Sequence, residues 1–160
     1  MFNSTMEEIH VLKVLPDYYE SSILEEFVQN MNYNGQITLN TRVPNCLVYI
    51  DKLRMEQVID NIINNSYKYA GTKIDINFKL NKKYLSMFIE DYGDGIPEEE
   101  IPLVFNKFYR VKNASCKSGA GLGLYLSKYY INNMNGEIEC YKEKNKFVVR
   151  IDISLENYRE

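Results

Sequence analysis

The chain reads as an α+β fold, a two-layer sandwich with helices packed on one face of a sheet. Three observations point there. Residues 73–80 alternate apolar side chains (Ile74, Ile76, Phe78, Leu80), and residues 84–89 are β-rich after the Asn81-Lys82-Lys83 turn, which makes a hairpin with one buried face. Residues 137–141 and 147–155 repeat that pattern at the end of the chain. Helical spacing of apolar residues occupies much of what lies before and between them. With 160 residues and 45% hydrophobic content, one domain with a real core is expected.

The elements follow in order. Residues 1–16 read as the end of a linker or a flexible N-terminus, 17–155 as the domain and 156–160 as a tail. Residues 17–31 form an amphipathic helix, with Ile23, Leu24, Phe27, Val28 and Met31 at helical spacing. Asn34-Gly35 turns the chain, and 36–43 and 46–50 are short strands separated by Pro44-Asn45. Residues 52–69 are a long helix. The first hairpin runs into a glycine turn, Asp91-Tyr92-Gly93-Asp94-Gly95-Ile96-Pro97. Residues 97–118 are loop with short helical pieces, and 121–134 are a helix stopped by Asn135-Gly136.

Charge is unevenly placed. Between Glu100 and Glu137 there is no acidic residue, yet Lys107, Arg110, Lys112, Lys117 and Lys128 lie there. Setting these five aside leaves 14 of the 19 basic residues against 22 acidic ones. The same stretch contains Ser118-Gly119-Ala120-Gly121-Leu122-Gly123-Leu124 leading into a helix. Backbone N–H groups approach an anion closely where side chains are absent, and a helix N-terminus adds positive potential, so this arrangement suits polyphosphate.

Composition excludes several classes. The acidic pI of 5.3 argues against broad nucleic-acid binding. No apolar run approaches the roughly 20 residues that span a bilayer, and the N-terminus has no signal-peptide core. Cys46, Cys116 and Cys140 form neither a zinc pattern nor CxxC, which suits a reducing cytosol. A single histidine, His10, rules against a His-based metal site or triad.

At about 100° per residue the long helix has three faces. Met55, Val58, Ile59, Ile62, Ile63, Ser66 and Ala70 face the core, whereas Glu56, Asp60, Asn64 and Tyr67 face solvent. Asn61, Asn65 and Lys68 share a third stripe about 60° wide at the border of the apolar face. Carboxamide oxygens there can ligate a hard cation such as Mg²⁺, and the lysine can reach phosphate. The plain alternative is three solvent-facing polar residues. Asp91-Tyr92-Gly93-Asp94-Gly95 likewise reads either as a tight turn or as a strand-end carboxylate that accepts a hydrogen bond from a ligand's amino group, with glycines that admit a flat ring. The second glycine segment has neither the preceding strand of a Rossmann fingerprint nor the GKS/GKT of a P-loop.

The segments taken together, Asn61 to Tyr69, Asp91 to Pro97, Phe105-Asn106-Lys107-Phe108-Tyr109-Arg110 and Gly119 to Leu124, resemble in order and separation the N, G1, F and G2 boxes of the catalytic ATP-binding domain of sensor histidine kinases, within the gyrase, Hsp90, histidine kinase and MutL group. The resemblance implies a mixed five-stranded sheet with about three helices and a mobile lid over ATP, the lid being residues 112–118. It implies that Asn65 holds Mg²⁺ with Asn61 beside it, that Lys68 contacts phosphate, and that these three are the catalytic set. It places Tyr69 near the nucleotide, although core packing would equally explain this residue. Asp91 matches the reader of the adenine amino group, and Gly93, Gly95 and Ile96 the floor under the base. Phe105 and Phe108 match lid anchors, and Lys107 and Arg110 are phosphate-side cations or merely solvated. Gly119, Gly121, Leu122 and Gly123 match the phosphate-facing turn. In the ATPase branches an acidic residue at the position of Asn61 activates water. Here an amide stands there, and Asp60 points about 100° away on an ideal helix.

The implied function is phosphoryl transfer from Mg-ATP to a histidine on a separate dimerisation domain, with a response regulator downstream. The expected location is cytoplasmic, and the parent of such a domain is often membrane-anchored. His10 is followed by Val11 and, six positions on, by Pro16, which does not match the phosphoacceptor pattern. Autophosphorylation by this chain alone is therefore not expected; it reads as a fragment or as a domain acting in trans. Two other functions fit the same fold, a non-catalytic nucleotide-sensing or partner-binding module and a slow ATPase.

Overall fold

The computed structural model describes residues 13–107, 109 and 123–155. The elements are β1 (Asp17–Glu20), α1 (Ser22–Met31), β2 (Ile37–Leu39), β3 (Leu47–Ile50), α2 (Lys52–Tyr69), β4 (Ile74–Leu80) and β5 (Tyr84–Asp91). A 3-10 helix (Glu98–Leu103), α3 (Gly123–Asn132), β6 (Glu137–Glu143) and β7 (Lys146–Ser154) complete them. The main sheet has five strands in the order β2-β4-β5-β7-β6, with β2 parallel to β4 and the other pairs antiparallel. The mixed five-stranded sheet is therefore present. A separate two-stranded sheet pairs β1 with β3.

The first helix is shorter than its periodicity suggests. Residues Asp17–Glu20 are extended and pair with β3, with Tyr18 opposite Tyr49. The helix begins at Ser22, where Leu24, Phe27, Val28 and Met31 become buried. Tyr18 and Tyr19 are favourable in strands, and pairing with β3 satisfies backbone groups that a helix would have satisfied internally. Of the two strands expected around Pro44-Asn45, the first is reduced to three residues, Ile37–Leu39.

Helix α2 keeps its expected bounds, and its ends explain why. The Asp51 side chain accepts from Arg54 N at 3.1 Å, which satisfies one of the free N–H groups of the first turn. At the other end Gly71, with φ of 66°, donates to Ser66 O at 3.1 Å. That left-handed turn costs little only at glycine. Met55, Val58, Ile59, Ile62, Ile63 and Ser66 are buried, as the apolar stripe predicts. Tyr67 departs from its expected solvent face: it is half-buried, packs edge-on to Tyr33 and donates its hydroxyl to Met31 O at 2.8 Å.

Strand alternation sets the two faces of the sheet. Ile74, Ile76 and Phe78 on β4, Leu85, Met87 and Ile89 on β5, and Val149, Ile151 and Ile153 on β7 form the core side. Each such side chain, fully buried, is worth roughly 1.5–3 kcal/mol. The other side is a polar ladder. Ser86 Oγ donates to Asp152 at 2.6 Å, Arg150 bridges Asp152 and Glu139, Lys146 pairs with Glu90 at 3.0 Å, and Tyr92 donates to Asp75 at 2.5 Å. These partners offset the cost of burying Asp75, Glu90 and Asp152.

Candidate nucleotide site

The period of two along β5 decides where the site begins. Counting from Leu85, Met87 and Ile89, the next core-facing residue is Asp91, at the strand end. Its carboxyl is therefore aimed at the helix layer and is 4% exposed. Ser66 Oγ donates to Oδ2 at 2.9 Å, and the Gly93 amide donates to Oδ1 at 3.1 Å. Burial pushes the Asp91 carboxyl above its usual range, and these two hydrogen bonds pull it partly back. The result is an oriented acceptor in an apolar setting.

The loop after Asp91 is strapped to the end of α2. Tyr92 N donates to Thr72 Oγ1 at 3.0 Å. Gly93 lies so close to Ala70 that a Cβ would stand 2.5 Å from Ala70 Cβ. Gly95 has φ of 71° and passes over the Phe147 ring, where a Cβ would sit 2.8 Å from Cδ1. Glycine is required at both positions, for close approach and for backbone conformation. Ile96 is half-buried against the core.

The opposite end of the site is where α2 meets α3. Asn61 Nδ2 lies 3.5 Å from Ser127 Oγ, and Gly123, the first residue of α3, packs directly on the Asn61 carboxamide. Asn61 and Asn65 are both half-buried, one helical turn apart. Asn61 and Ser66 are five residues apart, about 7.5 Å of rise along α2. Two adjoining faces of one helix are thus involved, the polar stripe of Asn61 and Asn65 that meets the start of α3 and the core stripe from which Ser66 reaches the buried Asp91.

The remaining expected residues divide. Lys68 is exposed, with its ammonium 5.6 Å from the Tyr69 ring centroid. Tyr69 is 45% exposed, which removes core packing as its explanation. Lys107 lies 5.8 Å from the Tyr125 ring and Lys128 lies 5.4 Å from the Phe105 ring, so two cation–ring contacts join the 105–107 segment to α3. Asp60 is half-buried; burial and then Glu56 raise its carboxyl above the usual range. Phe108, Arg110, Gly119, Gly121, Leu122 and the 112–118 lid fall outside the described residues. Sequence reasoning missed Ser66, Thr72 and Ser127 as polar partners. A hydroxyl on the core stripe of α2 was the available sign for Ser66.

Residues 50–157 match the family described as histidine kinase-, DNA gyrase B- and HSP90-like ATPase. Among curated proteins, a histidine kinase of Formosa agariphila is 29% identical over 162 residues, covering 96% of this chain and 12% of the relative. Sensor protein RprX of Bacteroides fragilis is 32% identical over 130 residues, 76% of this chain and 25% of the relative. Sensor histidine kinase WalK of Bacillus subtilis is 32% identical over 128 residues, 75% of this chain and 21% of the relative. The chain spans a quarter or less of the length of these relatives. Among solved structures, the mycobacterial sensor histidine kinase MprB superposes with a TM-score of 0.70 at 18% identity, covering 88% of this chain and 97% of the other. The ATP binding domain of PrrB from Mycobacterium tuberculosis superposes at 0.66 with 19% identity, covering 84% and 93%. The match over most of the chain, on a mixed five-stranded sheet with its helices, places this protein in the histidine kinase-, DNA gyrase B- and HSP90-like ATPase family.

Proposed function

We propose that this domain binds Mg-ATP and donates the γ-phosphate to a histidine on a separate dimerisation domain of a sensor kinase, with a response regulator as the later acceptor. The observation that carries the reading is Asp91, a buried carboxyl oriented by Ser66 and Gly93 beside α2, whose neighbouring polar stripe presents Asn61 and Asn65. A carboxylate aimed inward from a strand end suits the amino group of adenine. Gly93, Gly95 and Ile96 would form the floor under the base, with Tyr69 beside it.

The phosphates would lie toward Asn61, Asn65 and the N-terminus of α3, with Gly119, Gly121, Leu122 and Gly123 supplying amides. Lys68, Lys107 and Arg110 would supply positive charge. Among the described residues no cluster of three or more His, Cys, Asp or Glu side chains could hold a metal ion. The donors that fit are carboxamide oxygens, Asn65 first and Asn61 next to it, and these suit a hard cation shared with phosphate. A bound Mg²⁺ would neutralise charge on the phosphates. The side chains would position and neutralise, which is most of what phosphoryl transfer asks of a protein.

Asn61 has no proton-accepting group near neutral pH, so this position offers no general base for water. That favours transfer over hydrolysis. Among the described residues no helix is long and apolar enough to cross a membrane, and the domain would work in the cytoplasm, where ATP is supplied. Calorimetry with ATP in the presence and absence of Mg²⁺ tests the pocket; a folded chain without affinity overturns the reading. Adding a dimerisation domain and assaying acid-labile phosphohistidine tests the transfer, and turnover at the rate of a dedicated ATPase would favour hydrolysis instead.

A further inference from the structure

We propose that Arg54 is a positioning residue that links the segment leading into the domain to the α3 end of the nucleotide site. The proposal rests on the nucleotide reading given above.

Arg54 lies in the first turn of α2 and is half-buried. Its Nε donates to Lys13 O at 3.1 Å, and its Nη1 donates to Gln57 Oε1 at 3.1 Å. The guanidinium stands 4.9 Å from the centroid of the Tyr130 ring, and Nη1 reaches the Tyr130 hydroxyl at 3.5 Å. At that length the hydroxyl bond is weak, and the cation–ring contact carries the pair. Tyr130 itself is 7% exposed. A second tie holds the same segment. Asp51 accepts from Leu15 N on Oδ2 at 2.7 Å while its Oδ1 caps the Arg54 amide. Residues 13–15 are thus seated by the first turn of α2 through two adjoining side chains.

Tyr130 belongs to α3, and α3 runs antiparallel to α2. Arg54 meets Tyr130 at one end, and Asn61 meets Ser127 and Gly123 at the other. Seven residues, two turns or about 10 Å, separate Arg54 from Asn61 and Gly123 from Tyr130. Two packed helices pinned at both ends behave as a frame, because close-packed interiors transmit displacement rather than absorb it. Releasing the Tyr130 end lets α3 tilt, and the tilt moves Gly123 against Asn61. It also moves Tyr125 and Lys128, which hold Lys107 and Phe105. Arginine suits this double contact, because one planar cation can bond a backbone carbonyl at its edge while its face covers an aromatic ring.

The test uses the full chain as wild type, Arg54→Met, Arg54→Lys, Leu15→Pro and the Leu15→Pro/Arg54→Met double variant. Mg-ADP affinity is measured by calorimetry at a temperature where all are folded, and hydrogen exchange is followed at the Ser127 and Lys128 amides. Arg54→Met keeps the apolar stem and should weaken Mg-ADP about threefold to tenfold, with faster exchange at both amides. Arg54→Lys keeps the charge but not the planar double contact, and should recover only part of the affinity. Leu15→Pro removes the N–H that Asp51 holds; it should weaken binding alone and add little in the double variant, because both changes break one link. Additive losses would mean two independent defects and would overturn the proposal, as would an Arg54→Met variant that binds like wild type. A wild-type chain that binds no Mg-ADP overturns the nucleotide reading itself, and this proposal with it.

Discussion

Gly123 and the Asn61 carboxamide occupy adjoining space with no room between them: a Cβ at Gly123 would stand 2.9 Å from both Cγ and Nδ2 of Asn61. The glycine is therefore fixed by the site and not only by helix initiation. Gly123→Ala should push the Asn61 side chain out of place at a cost of about 1–3 kcal/mol, since overpacking a close contact is resisted on that scale. Mg-ATP affinity should fall while the far-ultraviolet circular dichroism stays native. Unchanged affinity would remove Asn61 from the site.

Asp91 gives a pH dependence whose sign is fixed by its surroundings. Burial raises the carboxyl above the ordinary aspartate value, so the folded apo protein takes up the proton before the unfolded chain does as pH falls. Stability therefore receives a small gain on acidification through that window, opposite to a salt-bridged aspartate. Nucleotide affinity should move the other way, because the protonated carboxyl is a poorer acceptor. The acid limb of the affinity profile should begin above about pH 3.9, the unperturbed aspartate value. Ser66→Ala removes a bond that lowers the value, and should displace the limb to higher pH. Asp91→Ala should abolish adenine recognition at every pH.

Asn65 and Asp91 should separate in their dependence on the metal. Asn65→Ala is expected to lose mainly the part of ATP affinity that requires Mg²⁺, leaving binding in chelator near wild type. Asp91→Ala should lose both. Titrations of the two variants with and without Mg²⁺ read the difference directly, and an Asn65→Ala variant that loses metal-free affinity equally would move that residue from the metal to the base.

Cys140 is buried on the core side of β6, and burial first, then Glu139, pushes its thiol up to about 11. The thiolate is the reactive form. In the native protein at pH 8 Cys140 should stay unmodified by iodoacetamide and react only on denaturation. Cys46 is half-buried, with burial raising its thiol and the Ser21 hydroxyl opposing this, and it should react slowly but measurably. Peptide mapping after alkylation distinguishes the two.

Much of this architecture is legible in the sequence because two periodicities are strong. The apolar residues of α2 recur at helical spacing over 18 residues and are bounded by an aspartate cap, so bounds and buried face follow. The hairpins alternate in residue type because one side of the sheet packs apolar residues against the helices and the other carries a ladder of paired polar side chains, much of it buried. Asp17–Glu20 reads as helix because four extended residues continue directly into an amphipathic run, and their pairing with β3 is a contact across about 30 residues that local pattern does not carry. The angle of Tyr67 around the helix points it to solvent, but Tyr33 packs against its ring and Met31 O accepts its hydroxyl, which leaves it half-buried. The Ser66–Asp91 bond joins positions 25 apart. It is beyond reach of either segment read alone, although each period, carried one step further, places its residue on the facing side.

The strand order of the main sheet leaves β2 and β6 at its two margins, and both are poor templates for another chain. Strand β2 is three residues long. Along β6, Glu137, Glu139, Lys142 and Glu143 project outward, so a second copy approaching in register would stack carboxylates on one another. The domain is in this way guarded against fibrous self-association at both margins, and overexpressed material should stay colloidally stable at neutral pH and become prone to clumping as those glutamates are neutralised.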